Sequence, residues 1–152
     1  MNKCKTINFL IIFCLLFFFI LGCSPNRLEN VSYTIKYPKN LIVGETFDLV
    51  ITIENADDED HQFKWIEMGF PLEENTLFVS ANPMFTGLYN YTPKKQMIFE
   101  YNLNIPSHSK KELVMQLMVI TSGKITSELN LCFNEGEQCF RDEFQLLVND
   151  NI

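Results

Sequence analysis

Basic residues and histidines are scarce in this chain. Of 152 residues only 12 are lysine or arginine against 19 aspartate or glutamate, a net charge of −7. A surface of that sign repels phosphate, which excludes a nucleic-acid reader and a protein that lies on anionic phospholipid. His61 and His108 are the only imidazoles available as hydrolytic bases. No glycine-x-serine-x-glycine elbow accompanies them, and in Ser107-His108-Ser109 the residues are sequence neighbours, whereas catalytic partners normally meet across a fold. Phosphate-cradling loops are missing too, since Thr121-Ser122-Gly123-Lys124 reads as a hairpin turn and not as a Walker loop. Nothing around Glu73 and Glu74 sets their acidities apart as acid/base chemistry requires. The sequence therefore predicts a protein that is not an enzyme and needs no cofactor.

Long hydrophobic runs are also lacking. The longest extends from Phe9 to Leu21, 13 residues behind Lys3 and Lys5, short of the roughly 20 that a membrane helix needs but suited to the apolar region of a signal peptide. It closes on Ile20-Leu21-Gly22-Cys23, which resembles the prokaryotic lipobox. That resemblance implies lipidation of the Cys23 thiol and cleavage just before it; the alternatives are an uncleaved anchor or an ordinary signal peptide with an incidental cysteine. The division expected is a signal peptide over 1–22, a lipidated tether over 23–30 and a folded domain over 31–152. The part after cleavage has 130 residues, enough for one core, with 10 basic and 19 acidic side chains, or −9. Its short, proline-broken tether spans at most about 25 Å, which would hold the domain near a cell-envelope membrane. Ser24 is compatible with the periplasmic face of an outer membrane, and a host with one membrane would carry the same anchor on its surface.

Five cysteines reduce to two once Cys4, Cys14 and Cys23 are assigned to the signal and the anchor. In an exported domain, pairing of Cys132 with Cys139 is the expectation. A two-residue turn at Glu135-Gly136 would set them opposite each other at about 4.5 to 5.5 Å between Cα atoms, within disulfide range. Six intervening residues fit neither the redox spacing nor a zinc pattern.

Period-two alternation dominates the rest. Phe47, Leu49, Ile51 and Ile53 share one face of 46–54, and Met97, Phe99, Tyr101, Leu103 and Ile105 share one face of the next clear strand. Shorter candidates are 32–37, 62–68, 77–80, 112–120, 124–131 and 139–148, separated by glycine, proline and polar clusters. Only 110–120 also admits a helix, through Leu113, Leu117 and Ile120. The expected core is Phe47, Leu49, Ile51, Ile53, Trp65, Phe99, Tyr101 and Leu103. The sequence predicts an all-β antiparallel sandwich of seven or eight strands.

Val43-Gly44-Glu45-Thr46-Phe47, continuing in alternation to Asn55, resembles the opening strand of the immunoglobulin-like, cell-adhesion-related surface modules of bacteria and archaea. Pro71-Leu72, Phe78-Val79-Ser80 and the turn Leu103-Asn104-Ile105-Pro106 extend the similarity over about residues 31–131. It implies an immunoglobulin-like fold, in which Trp65 would match the core tryptophan, and no active site.

Two stretches remain as candidate sites. Asp57-Asp58-Glu59-Asp60-His61 is rich enough in carboxylate for a divalent cation, with Asp57, Asp58 and Asp60 as calcium ligands, although consecutive acids without a glycine-shaped turn suit a solvated loop better. The second, 70–91, is long for a connection and carries Phe70, Phe78, Phe85, Tyr89 and Tyr91. Such rings either cap the core or offer a binding surface, of which Phe70, Phe85, Tyr89 and Tyr91 are the candidates. The functional expectation is a membrane-anchored, non-catalytic envelope module with a protein or glycan partner; the competing one is a metal-binding or enzymatic accessory domain using 57–60.

Overall fold

A computed structural model describes residues 28–134 and 138–150. The signal segment, Cys23 and the turn at Glu135-Gly136 lie outside the described residues. In chain order the elements are β1 (Val31–Lys36), β2 (Asn40–Ile42), β3 (Thr46–Asn55), β4 (His61–Gly69), a one-turn helix α1 (Phe70–Glu73), β5 (Thr76–Asn82), β6 (Gly87–Tyr91), a 3-10 turn at Thr92–Lys94, β7 (Gln96–Ile105), β8 (Ser109–Val119), β9 (Gly123–Phe133) and β10 (Gln138–Asn149). They form a four-stranded sheet, β1-β3-β8-β5, packed on a six-stranded sheet, β2-β10-β9-β4-β7-β6. The chain is a two-sheet β-sandwich. Ten strands replace the expected seven or eight because β2 and β6 are short pieces inside stretches that look like punctuation. The pairing is antiparallel except where β2 runs parallel to β10.

Alternation explains the core. Phe47, Leu49 and Ile51 of β3 face Leu117, Met115 and Leu113 of β8 in register, and all six are buried. The buried set of β8 continues to Val119 at period two, so 110–120 is a strand, and Ile120 of the helical pattern is exposed. Full burial of each such aliphatic side chain contributes roughly 1.5–3 kcal/mol. The opposite sheet answers with Phe63, Ile66, Met68, Phe99, Tyr101, Leu129, Leu131 and Phe144.

Two of the expected core residues behave differently. Trp65 is only half-buried and lies outside the core cluster. Register slips between Phe63 and Trp65 on both sides of β4, so Phe63, Ile66 and Met68 point inward and Trp65 turns out with Glu67. Leu103 packs on the core from its rim and stays half-buried. Thr121-Ser122-Gly123-Lys124 is not a hairpin. It carries the chain from β8 in one sheet to β9 in the other, with Gly123 at φ +122°, a conformation open to glycine.

Gly44, at φ +88°, turns the chain from β2 into β3 and donates its N–H to Val119 O at 2.8 Å. At the other end of the sandwich Asn55, 1 % exposed, pins two sheet-to-sheet crossovers together. Its Nδ2 donates to Glu59 O, Ile105 O and Pro106 O at 2.8, 3.1 and 3.1 Å, and its Oδ1 accepts from Asp57 N at 3.0 Å.

Candidate functional site

The stretch 70–91 is not a loop. It folds as α1, β5 and β6, and the last two are the lateral edges of the two sheets on the same side of the sandwich. Its aromatic rings divide. Phe85, half-buried, packs inward against Phe78, Phe99 and Tyr101, with ring centroids at 5.1, 5.3 and 6.5 Å, so it caps the core. Phe70 is half-buried at the start of α1, where its N–H reaches Lys95 O at 3.0 Å. Tyr89 and Tyr91 are 55 % and 42 % exposed. Of the ten large hydrophobic side chains that are exposed among the described residues, seven fall in 77–91: Leu77, Phe78, Val79, Met84, Leu88, Tyr89 and Tyr91.

Register fixes which way the two tyrosines face. Tyr89 pairs with Ile98, and Tyr91 with Gln96, so both rings stand on the outer face of the six-stranded sheet. That face carries two cross-strand rungs. Arg141, Asn130, Glu67, Ile98 and Tyr89 form one, and Cys139, Cys132, Trp65, Glu100 and Gly87 the next. Acidic partners hold the rings in place. Trp65 Nε1 donates to Glu67 Oε1 at 3.2 Å, and the Tyr89 hydroxyl donates to Glu100 Oε2 at 2.9 Å. The bond to Glu100 pushes the Tyr89 hydroxyl above its ordinary pKa, while Asn102 and Tyr89 together hold Glu100 below the usual carboxylate value. Gly87 makes room for this arrangement: a Cβ there would stand 2.7 Å from both Glu100 Oε2 and the Tyr89 hydroxyl.

The same face carries a polar groove of about 570 Å³, lined by Glu67, Lys94, Gln96, Glu128, Asn130, Cys139 and Arg141. The Cys132–Cys139 disulfide is formed, with the two residues paired in register and 4.1 Å apart at Cα. On the opposite side of the sandwich a second hollow of about 410 Å³ opens between Ile35, Tyr37, Lys39, Asp142 and Phe144. The rings of Tyr37 and Phe144 meet there with centroids 4.1 Å apart, tilted by 31°.

The acidic loop is folded onto protein donors. Asp57 accepts from Asn30 Nδ2 at 3.1 Å and lies 3.1 Å from His61 Nε2; Asp58 lies 2.9 Å from His108 Nε2. Asp60 accepts from Asn104 Nδ2 at 2.8 Å and from Ser107 N at 2.9 Å. Asn30 and then His61 hold Asp57 below the ordinary carboxylate value, and Asn104 and then Ser107 do the same for Asp60. The three aspartates therefore turn to three separate sets of donors and do not converge, and no group of three possible metal ligands occurs among the described residues. The loop sits beside Asn30, at the end of the domain where the chain enters. The imidazoles meet carboxylates and, for His61 Nδ1, the amide of Asn134 at 3.4 Å, not serine hydroxyls. The length and aromatic content of 70–91 pointed to the two tyrosines, but the outer face with Trp65, Glu67, Gln96, Asn130 and Arg141 was missed. Its only sequence signal is polar residues at every second position of strands whose partners the sequence does not name.

No protein-family model and no curated protein matches the chain. Solved structures match by shape. The cohesin module of a family 33 glycoside hydrolase from Clostridium perfringens ATCC13124 superposes with a TM-score of 0.51 at 15 % identity, over 80 % of this chain and 98 % of that one. A family 123 glycoside hydrolase from Clostridium perfringens gives 0.53 at 8 % identity over 80 % of this chain, which spans 28 % of the hydrolase. At such identities the likeness is one of fold, and this chain is a β-sandwich module of that general architecture.

Proposed function

We propose that the chain is a non-catalytic envelope module, tethered to a membrane by lipid on Cys23, that captures a protein or glycan at the edge carrying Tyr89 and Tyr91. The observation that carries this reading is the gathering of exposed apolar side chains on β5 and β6, since an apolar patch of this kind marks an interaction surface. Register slips in β5 between Phe78 and Ser80, a bulge that blunts the edge against strand addition, so recognition falls to side chains. Tyr91 stands at the end of the sandwich away from Asn30, and a tether entering beside Asn30 would leave that end directed away from the membrane. Carboxylates committed to protein donors support this reading over a metal-dependent one.

Replacing Tyr89 and Tyr91 by serine tests it. The melting temperature should stay nearly unchanged while capture of partners from native membranes is lost. If the double variant unfolds and binding falls only in proportion, the rings serve the fold. Cys23→Ala should move the protein out of the detergent phase; retention there with unchanged mass would remove the anchor from the proposal.

A further inference from the structure

Sheet edges are where another strand can add, and proteins blunt them with short strands, charges, bulges or covering side chains. The other edges here are blunted in that way. β2 has three residues, β5 carries its bulge, and β1 holds Lys36 and shows no exposed large hydrophobic side chain. Beyond β2, β10 turns the N–H groups of Glu143 and Gln145 to Asp142 Oδ1 and the Tyr37 hydroxyl, at 2.8 and 3.2 Å. β6 is different. Gly87-Leu88-Tyr89-Asn90-Tyr91 has no charge, no proline and no slip in register, and Leu88, Tyr89 and Tyr91 are exposed.

Register shows which of its backbone groups are free. Glu100 O accepts from Thr86 N at 2.6 Å, so Glu100 turns its backbone toward β6, and Ile98 and Gln96 do the same at period two. Gly87, Tyr89 and Tyr91, opposite them, are therefore the residues that bond to β7. Leu88 and Asn90 aim N–H and C=O the other way, where β6 has no neighbouring strand among the described residues. A second β6, antiparallel about a two-fold axis at Tyr89, would let each Leu88 exchange both backbone hydrogen bonds with Asn90 of the other copy.

Side chains fit the same axis. Tyr89 would face its own copy, and Tyr91 would face Gly87 of the other copy, whose Tyr89 ring lies over that glycine: the Gly87 Cβ position is 2.7 Å from the Tyr89 hydroxyl and 2.9 Å from its ring. Aromatic side chains opposed across strands stabilise their pairing. Charges match as well. Lys94 lies 5.8 Å from the Tyr91 ring centroid at one end of β6, and Glu100 Oε2 is 2.7 Å from the Gly87 Cβ position at the other, so the axis brings each lysine toward the other copy's glutamate. The net charge of −7 is spread over the whole chain, and charges farther apart than about 8 Å are largely screened at physiological salt.

We propose that two copies of this chain join through β6 and make one continuous sheet across their two-fold axis. The inference rests on the binding role proposed for this edge and names a second copy as its occupant. The axis sends the two Asn30 ends in opposite directions, so copies standing on their tethers would meet from facing membranes.

Sedimentation equilibrium of the full chain in density-matched detergent micelles should show monomer and dimer exchanging between about 10 μM and 1 mM, the weak range of a small interface. Asn90→Pro removes a donor that β7 does not use, and should weaken the dimer at least about 10-fold while leaving the melting temperature of the dilute monomer unchanged. Should that variant fold poorly, Leu88→Lys, which sets a charge in the joint, should weaken the dimer to the same degree. A chain monomeric at about 1 mM, or a dimer indifferent to the variant that folds, would overturn the inference. Tyr89→Cys checks the register: mild oxidation should link it to its own copy and leave Ser80→Cys on β5 unlinked, whereas linking of both alike, or of Ser80→Cys alone, would count against a joint at β6. If the chain stays monomeric while capture of another partner depends on Tyr89 and Tyr91, the pairing fails and the module reading stands. If copies pair through β6 but capture from native membranes ignores the tyrosines, the reverse holds.

Discussion

Trp65 stands directly opposite Cys132 across the β4–β9 pair, on the outer face of the six-stranded sheet. Strict alternation from Phe63 would have put it in the core. The slip in β4 gives the inward place to Ile66 and brings the indole beside the disulfide and the polar groove, so one irregularity in pairing makes a surface ring out of an expected core ring.

The bridge on that rung should matter to both stability and the indole. Replacing Cys132 and Cys139 by alanine is expected to lower stability by about 2–3 kcal/mol, the value for closing so short a loop. Denaturant titration followed by tryptophan emission checks it; a loss below about 1 kcal/mol would mean the hairpin is held by its ladder alone.

Phe99 and Phe85 share a ring cluster, and Tyr89 does not. Phe99→Ala should cost about 3–5 kcal/mol, and Phe85→Ala a substantial part of that, while Tyr89→Ser should cost under about 1 kcal/mol. Urea melts of the three variants order them. Equal losses at Phe85 and Tyr89 would contradict the division between core-capping and exposed rings.

Tyr101 is 2 % exposed and its hydroxyl has no partner; burial pushes its pKa up to about 12. A folded value above the unfolded one, ordinarily 10.0, gives stability that is fully present below that pH and is lost as pH rises through about 12. Tyr101→Phe should be neutral or stabilising at neutral pH and should flatten the alkaline decline, read by thermal melts at rising pH alongside phenolate absorbance.

Asp60 is held below its ordinary pKa by Asn104 and Ser107, so its contribution is present above the unfolded value and fades as pH falls through the folded one. Asp60→Asn should therefore lower the melting temperature at neutral pH and make little difference near pH 3. An equal loss at both would point to packing and not to charge.

Calcium is the check on the same loop. With Asp57, Asp58 and Asp60 turned to separate donors, added calcium should leave the melting temperature where it was, whereas a built site would raise it by mass action. A calcium-dependent rise abolished by Asp58→Asn would restore the metal-binding alternative.

The sequence by itself determined the strands whose side chains alternate over many positions. Phe47 to Ile53 and Phe99 to Ile105 show their faces without any partner, because the period of two belongs to the extended backbone. The Cys132–Cys139 rung was legible for the same local reason. Which strands share a sheet is not local. Only tertiary pairing made the stretch after Ile120 a crossover between sheets, turned 70–91 into a helix and two edge strands, and sent Phe85 inward while Tyr89 went out. The outer face with Trp65, Gln96 and Asn130 was invisible for that reason. Its residues come from strands far apart in the chain, and the slip in β4 that turns Trp65 outward arises from matching β4 to its two neighbours at once.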